Sequence, residues 1–132
     1  MTWLLTGGAG YIGAHIARAF RAAGLDVVVL DDLSTGYREY VPDDVAFVDG
    51  GIGDPAAVRD ALDHGVTGVV HLAGLKYAGV SVHEPLLFYR QNLDGMRVLL
   101  DAVVERGIAH FVFSSSSSWY GTPDRELVDE DT

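Results

Sequence analysis

The sequence has no cysteine, which excludes disulfides, thiolate catalysis and cysteine-based metal centres. It has a single lysine, Lys76, among nine basic residues, against 19 acidic ones, for a net charge of −10. Such a chain repels phosphate backbones and anionic lipid, so neither nucleic acid nor a membrane surface is expected as a partner. No apolar run approaches the roughly 20 residues that cross a bilayer. The N-terminal MTWLLTGG lacks the basic region and long apolar core of a secretory signal, and a cytoplasmic location is expected. The five histidines are too scattered to form a ligand set, and no metal is expected.

What the chain does have is alternation, punctuated by 16 glycines. Residues 3–5 form a short apolar run that ends in glycines. Ile12, Ile16, Ala19, Phe20 and Ala23 then recur at helical spacing, with Gly24 as a stop. Residues 27–30 have the unbroken apolar character of a strand buried on both faces, and residues 45–48 form a third strand. A short helix is expected over 55–62, capped by Asp54 with Pro55 in its first turn. Residues 69–72 form a fourth strand. One long helix is predicted over 85–106, its core stripe being Leu86, Tyr89, Leu93, Met96, Leu100 and Val103, widened by Leu99 and Val104. Gly107 ends it, and residues 111–113 open a fifth strand. The acidic, aperiodic tail over 122–132 is expected to be loose. Nothing divides residues 1–121, which form one domain.

Buried strands alternating with helices imply an α/β fold with a parallel sheet covered on both faces. Right-handed crossovers favour a doubly wound sheet of about five strands, in the order 3-2-1-4-5. In such sheets ligands lie beyond the C-terminal strand ends, beside the point where strand order reverses. The segment TGGAGYIGAH falls there and places Gly7, Gly10 and Gly13 in a G-x-x-G-x-x-G spacing. The first glycine permits a tight turn, the second lets backbone approach a pyrophosphate, and the third lets helix pack close on strand. The helix N-terminus offers N–H donors and the positive end of its dipole. Asp31, at the end of the second strand and 24 residues after Gly7, is placed to accept hydrogen bonds from adenosine ribose hydroxyls and to repel a 2′-phosphate. NAD is therefore expected rather than NADP. Asp32 reads as a solvated loop residue.

With these residues assembled, the chain resembles the extended short-chain dehydrogenase/reductase superfamily, and most closely the UDP-galactose (UDP-glucose) 4-epimerases. The resemblance is carried by LTGGAGYIGAH, VVLDDLSTG, VVHLAGLKYAGVSV, YRQNLDG and FVFSSSSSWYG, spread over residues 4–121. It implies a Rossmann-type, NAD-binding part of such an enzyme, with Gly7, Gly10, Tyr11, Ile12 and Gly13 at the pyrophosphate and Asp31 at the ribose. Ala73, Gly74 and Lys76 would cover the middle of the cofactor, and Asn92 would steady it from the long helix. Ser116 matches the catalytic Ser/Thr that hydrogen-bonds the sugar 4-hydroxyl. The implied partners are a UDP-hexose and a second copy of the chain, since the long helix of these epimerases helps form a dimer.

Two departures qualify the resemblance. The family's base is a tyrosine paired with a lysine four residues on. Here Tyr11, Tyr37, Tyr40, Tyr77, Tyr89 and Tyr120 are followed at that distance by His15, Val41, Asp44, Ser81, Leu93 and Asp124. The chain is therefore expected to lack both the catalytic pair and the substrate domain, and to be inactive alone. The family also commonly reads Gly-Asp-Ile after the third strand, its aspartate contacting the adenine amino group, where this chain has Gly50-Gly51-Ile52. The alternatives at this point are a stand-alone dinucleotide-binding module with a regulatory or partner-binding role, or the N-terminal part of another sugar-nucleotide epimerase or dehydratase.

Overall fold

Five parallel strands build the sheet in the computed structural model, which describes residues 1–124 and 127–131. They are β1 (Thr2–Thr6), β2 (Asp26–Asp31), β3 (Ala46–Asp49), β4 (Val66–His71) and β5 (His110–Phe113), in the order β3-β2-β1-β4-β5. Strand order therefore reverses between β1 and β4, as expected from the alternation. The helices are α1 (Tyr11–Ala22), α2 (Pro55–Leu62), α3 (Ala78–His83), α4 (Pro85–Phe88) and α5 (Gly95–Glu105). Asp54 caps α2 by accepting a hydrogen bond from the Ala56 N–H at 2.8 Å, with Pro55 behind it.

Successive side chains of a strand point to opposite faces, and the two cores follow that period. Leu4, Val28, Leu30 and Val69 face α2 and α5, where Val58, Ala61, Leu99 and Val103 meet them. Leu5, Val27, Val29 and Val70 face the other side, where they pack with Ala17 of α1 and with Val41 and Val45. On α1 the buried residues are the small ones, Gly13, Ala14 and Ala17. Ile12, which the helical spacing assigns to the core, is 58% exposed. The side chains nearest the sheet are short because the helix approaches it closely.

The expectation of one regular helix over 85–106 needs correction. Between α4 and α5 lies a π-helical turn, Tyr89–Asp94, which accommodates one more residue than an α turn. The buried face of α5 is Gly95, Leu99, Ala102 and Val103: the expected Leu99 and Val103 are on it, whereas Leu100 and Val104 are exposed. Leu86, Tyr89 and Leu93, assigned to the core by the same stripe, are exposed. Gly95 explains the closeness at the start of α5, since a Cβ there would stand 2.9 Å from the Ile52 side chain. Helix α3 and the 3-10 turns at Arg38–Tyr40 and Ser117–Tyr120 went unforeseen; each is too short to impose a period on the sequence. Strand β5 lies at the sheet edge, with Val112 51% and Phe113 56% exposed. The acidic tail falls partly outside the described residues, at 125, 126 and 132.

Leu99 is fully buried and sits on this face. Leu99→Ala is expected to cost about 2–5 kcal/mol of stability in urea unfolding, whereas Leu93→Ala should stay within about 0.5 kcal/mol of the parent in dilute solution. The opposite ranking would reject this assignment of the buried face.

Candidate functional site

The turn after β1 is built by exclusion of side chains. Gly7 has φ +72°, and a Cβ on it would stand 2.8 Å from the Ala73 backbone nitrogen. A Cβ on Gly13 would stand 2.4 Å from the Gly7 carbonyl oxygen. Position 13 therefore does the close-packing work expected of the third glycine. Gly8, which lies outside the G-x-x-G-x-x-G spacing, presses on the Val29 methyl groups, its notional Cβ falling 2.6 Å away. The doubled glycine in TGG was the available signal. At Gly10 a Cβ would meet only the Gly7 carbonyl, at 3.3 Å; beyond it the space is open. Gly10 is also the N-cap of α1, and no side chain among the described residues caps that helix. Its first-turn N–H groups are thus left for a ligand.

Asp31 is buried at the end of β2, and its carboxylate is already engaged. Oδ2 accepts a hydrogen bond from the Ala9 N–H, and Oδ1 accepts one from the Leu33 N–H, each at 2.9 Å. Spacing alone assigned this acid a ligand; the structure adds that it anchors the glycine turn to β2. Each oxygen keeps a further lone pair that can accept another hydrogen bond. Tyr37 donates its backbone N–H to the Ala9 carbonyl at 3.0 Å, so the Ala9 peptide is held on both sides.

Beneath the turn, β1 and β4 are joined by a side-chain network. The Thr6 hydroxyl oxygen accepts from the Leu72 and Ala73 N–H groups, at 3.3 and 3.4 Å. Its own proton then goes to His71 Nδ1, 2.6 Å away. His71 is buried and stacks on Phe113, with ring centroids 5.8 Å apart. Burial holds its pKa below the usual 6.5, which agrees with a neutral ring whose Nδ1 accepts.

Asn92 stands in the π-helical turn and faces the segment after β4. Its Oδ1 accepts from the Leu75 N–H at 2.8 Å and its Nδ2 donates to the Leu75 carbonyl at 2.9 Å. Both ends of the amide grip one residue's backbone, so Asn92 steadies the loop that carries Ala73, Gly74 and Lys76. At the end of β5, Ser116 Oγ accepts from the Ser118 N–H at 3.1 Å and caps the 3-10 turn. Its hydroxyl proton is not committed by that bond.

A cleft of about 770 Å³ lies over the C-terminal strand ends, between β1 and β4. Every residue singled out in the sequence lines it: Gly7, Gly10, Tyr11, Ile12, Gly13, Asp31, Ala73, Gly74, Lys76, Asn92 and Ser116. Lys76 is exposed there, with no ion-pair partner among the described residues.

A doubly wound parallel sheet, a glycine turn opening on an uncapped helix and an acid closing β2 define a dinucleotide-binding fold of the Rossmann type. Comparison with known proteins narrows this class. The chain belongs to the NAD dependent epimerase/dehydratase family, whose model matches residues 3–132. It is 43% identical over 129 residues to the UDP-glucose 4-epimerase of Azospirillum brasilense, covering 97% of this chain and 37% of that protein. The crystal structure of the Thermus thermophilus UDP-glucose 4-epimerase in complex with NAD superposes with a TM-score of 0.92 at 40% identity, covering 99% of this chain and 43% of that one. The Bifidobacterium longum UDP-glucose 4-epimerase in complex with NAD+ and UDP gives a TM-score of 0.90 at 32% identity, covering 99% of this chain and 42% of that one. The chain thus spans about two fifths of the length of these relatives. Among the described residues, no helix is long and apolar enough to cross a membrane.

The state of His71 generates a pH prediction. Its folded pKa is lowered, so the unfolded chain takes up the proton first. The folded state therefore loses stability as pH falls below about 6.5, until the folded ring also titrates. Urea midpoints measured between pH 7.5 and 5 should fall less steeply in His71→Asn, whose Oδ1 can accept the Thr6 proton. Parallel curves for the two proteins would reject the neutral buried ring.

Proposed function

We propose that this chain is the NAD-binding portion of a UDP-sugar 4-epimerase, with residues 1–121 as its dinucleotide-binding domain. The observation that carries the reading is the convergence of the glycine turn, Asp31, the loop after β4 and Ser116 on one cleft. The site fits a dinucleotide in a specific way: the space beyond Gly10, which a side chain would fill, lies at the uncapped end of α1. In this reading the backbone of Gly7 and of residues 10–13 holds the pyrophosphate, and the free lone pairs of Asp31 take the ribose hydroxyls. Asn92 acts on the cofactor through Leu75, by holding the loop in place. Lys76 brings the cleft its positive charge, and Ser116 donates its hydroxyl proton to the sugar 4-oxygen.

NAD, when bound, supplies a reversible hydride acceptor for the carbon that bears that oxygen. The base that removes the hydroxyl proton in the family pattern, a tyrosine with a lysine four residues on, has no counterpart in this sequence. The chain therefore binds cofactor without turning over. The relatives named above are UDP-glucose 4-epimerases, which supports UDP-glucose and UDP-galactose as the sugars concerned. The exposed Leu86, Leu93, Leu100 and Val104 along the α4–α5 segment support self-association into dimers or larger assemblies.

Titration calorimetry tests the reading. The purified chain should bind NAD at least ten-fold more tightly than NADP, since a 2′-phosphate would meet the Asp31 carboxylate. Asp31→Asn should narrow that gap and weaken NAD binding, because the turn loses its charged anchor. The same preparation should not interconvert UDP-glucose and UDP-galactose, and light scattering at high concentration should give a mass above that of the monomer. Absence of NAD binding would overturn the proposal; turnover would overturn the claim of inactivity.

A further inference from the structure

The adenosine end of the cleft contains a second acid. Asp32 follows β2 and is exposed, with one of its two carboxylate oxygens engaged. Oδ1 accepts from the Ser34 N–H at 3.0 Å and from the Ser34 hydroxyl at 2.6 Å. Oδ2 has no hydrogen-bond partner among the described residues, and it stands next to Gly51, 3.5 Å from where a Cβ on that glycine would be. Leu30 and Ile52 line the cleft beside this pair, together with the backbone of Gly50 and Gly51.

We propose that Asp32 is a specificity residue that reads the exocyclic amino group of adenine, from a position adjoining the one an acid at position 51 would use. The inference rests on the dinucleotide reading above and deepens it. Two apolar side chains and a stretch of glycine backbone suit the flat face of a purine. One carboxylate at its rim suits an amino donor, because an ionised carboxylate only accepts hydrogen bonds. Asp31 cannot fill this role as well, since both its oxygens are held beside the glycine turn by Ala9 and Leu33. Lys76 carries the wrong charge for an amino donor.

The geometry also ties the two positions together. Any side chain at 51 would touch the Asp32 carboxylate, and an acidic one would set two like charges side by side. Glycine at 51 and aspartate at 32 are therefore one arrangement: the bare backbone at 51 leaves room for the Asp32 carboxylate beside it. On this account the hydrogen bond missing from position 51 is replaced.

The discriminating probe is nicotinamide hypoxanthine dinucleotide, which carries a carbonyl oxygen where NAD carries the amino group. Calorimetry should show the parent chain binding NAD about ten-fold more tightly than the hypoxanthine analogue, as expected for a hydrogen bond to a charged group. Asp32→Ala should weaken NAD about ten-fold, leave the analogue within about two-fold, and so abolish the preference. Asp32→Asn, whose carboxamide can donate, should abolish or reverse it. Asp32→Ala combined with Gly51→Asp should restore it, by supplying a carboxylate from the adjoining position. Thermal midpoints of the variants exclude unfolding as the cause. Equal binding of both dinucleotides by the parent chain, or an equal loss of both in Asp32→Ala, would overturn the assignment of Asp32 while leaving the cofactor reading intact. Binding of neither would overturn the cofactor reading and this inference with it.

Discussion

The cleft depends on one buried carboxylate. Asp31 closes β2, and its two oxygens take the N–H groups of Ala9 and Leu33, fixing the glycine turn on one side and the loop after β2 on the other. Charge-assisted bonds of this kind are stronger than neutral ones, and the low dielectric of a buried site strengthens them further. The turn's glycines have no side chains to pack, and backbone bonds from the Gly7 N–H to the Leu30 carbonyl and from the Tyr37 N–H to the Ala9 carbonyl complete its attachment. The glycines make the close approach sterically possible; Asp31 makes it the one the chain adopts.

The opposite wall is held by a different device. Asn92 grips both polar backbone groups of Leu75, and it is carried on a π-helical turn. The helix that follows that turn keeps Leu99 and Val103 on the core and leaves Leu100 exposed. Between the walls, Thr6 and His71 hold the ends of β1 and β4 together, with the Thr6 oxygen occupied by Leu72 and Ala73. The floor is polar but satisfied, which spares it the cost of buried unpaired groups.

Much of this was legible in the sequence. Unbroken apolar runs such as residues 27–30 and the glycine stops gave strand number, strand order and the end of the sheet at which a ligand would lie. The candidate residues all reached one cleft because each sits at a strand end or one turn beyond it. What the sequence hid was of two kinds. Period-based reading assumes a regular helix, so it missed the π-helical turn and put the exposed Leu86, Tyr89, Leu93 and Leu100 in the core, while Leu99 and Val103 are buried as expected. Residue-type reading names a polar side chain by what it could bind in a ligand, and misses what it binds in the protein. Asp31, Asn92 and Ser116 each proved to hold backbone as well. Asp32 was passed over as solvated because exposure and placement are separate properties, and only coordinates show the second.

Strand β5 brings a consequence of another kind. It lies at the sheet edge with Val112 and Phe113 both more than half exposed, although neighbouring strand residues point to opposite faces. Among the described residues it therefore offers bare apolar surface above, below and along an unpaired row of backbone groups, a geometry that recruits further strands. Against this stands the net charge of −10, which keeps copies apart at low ionic strength and does so less well as salt screens it. The colloidal behaviour of the chain is thus a contest between one adhesive edge and a diffuse negative shell, and the shielding length of the solvent decides it.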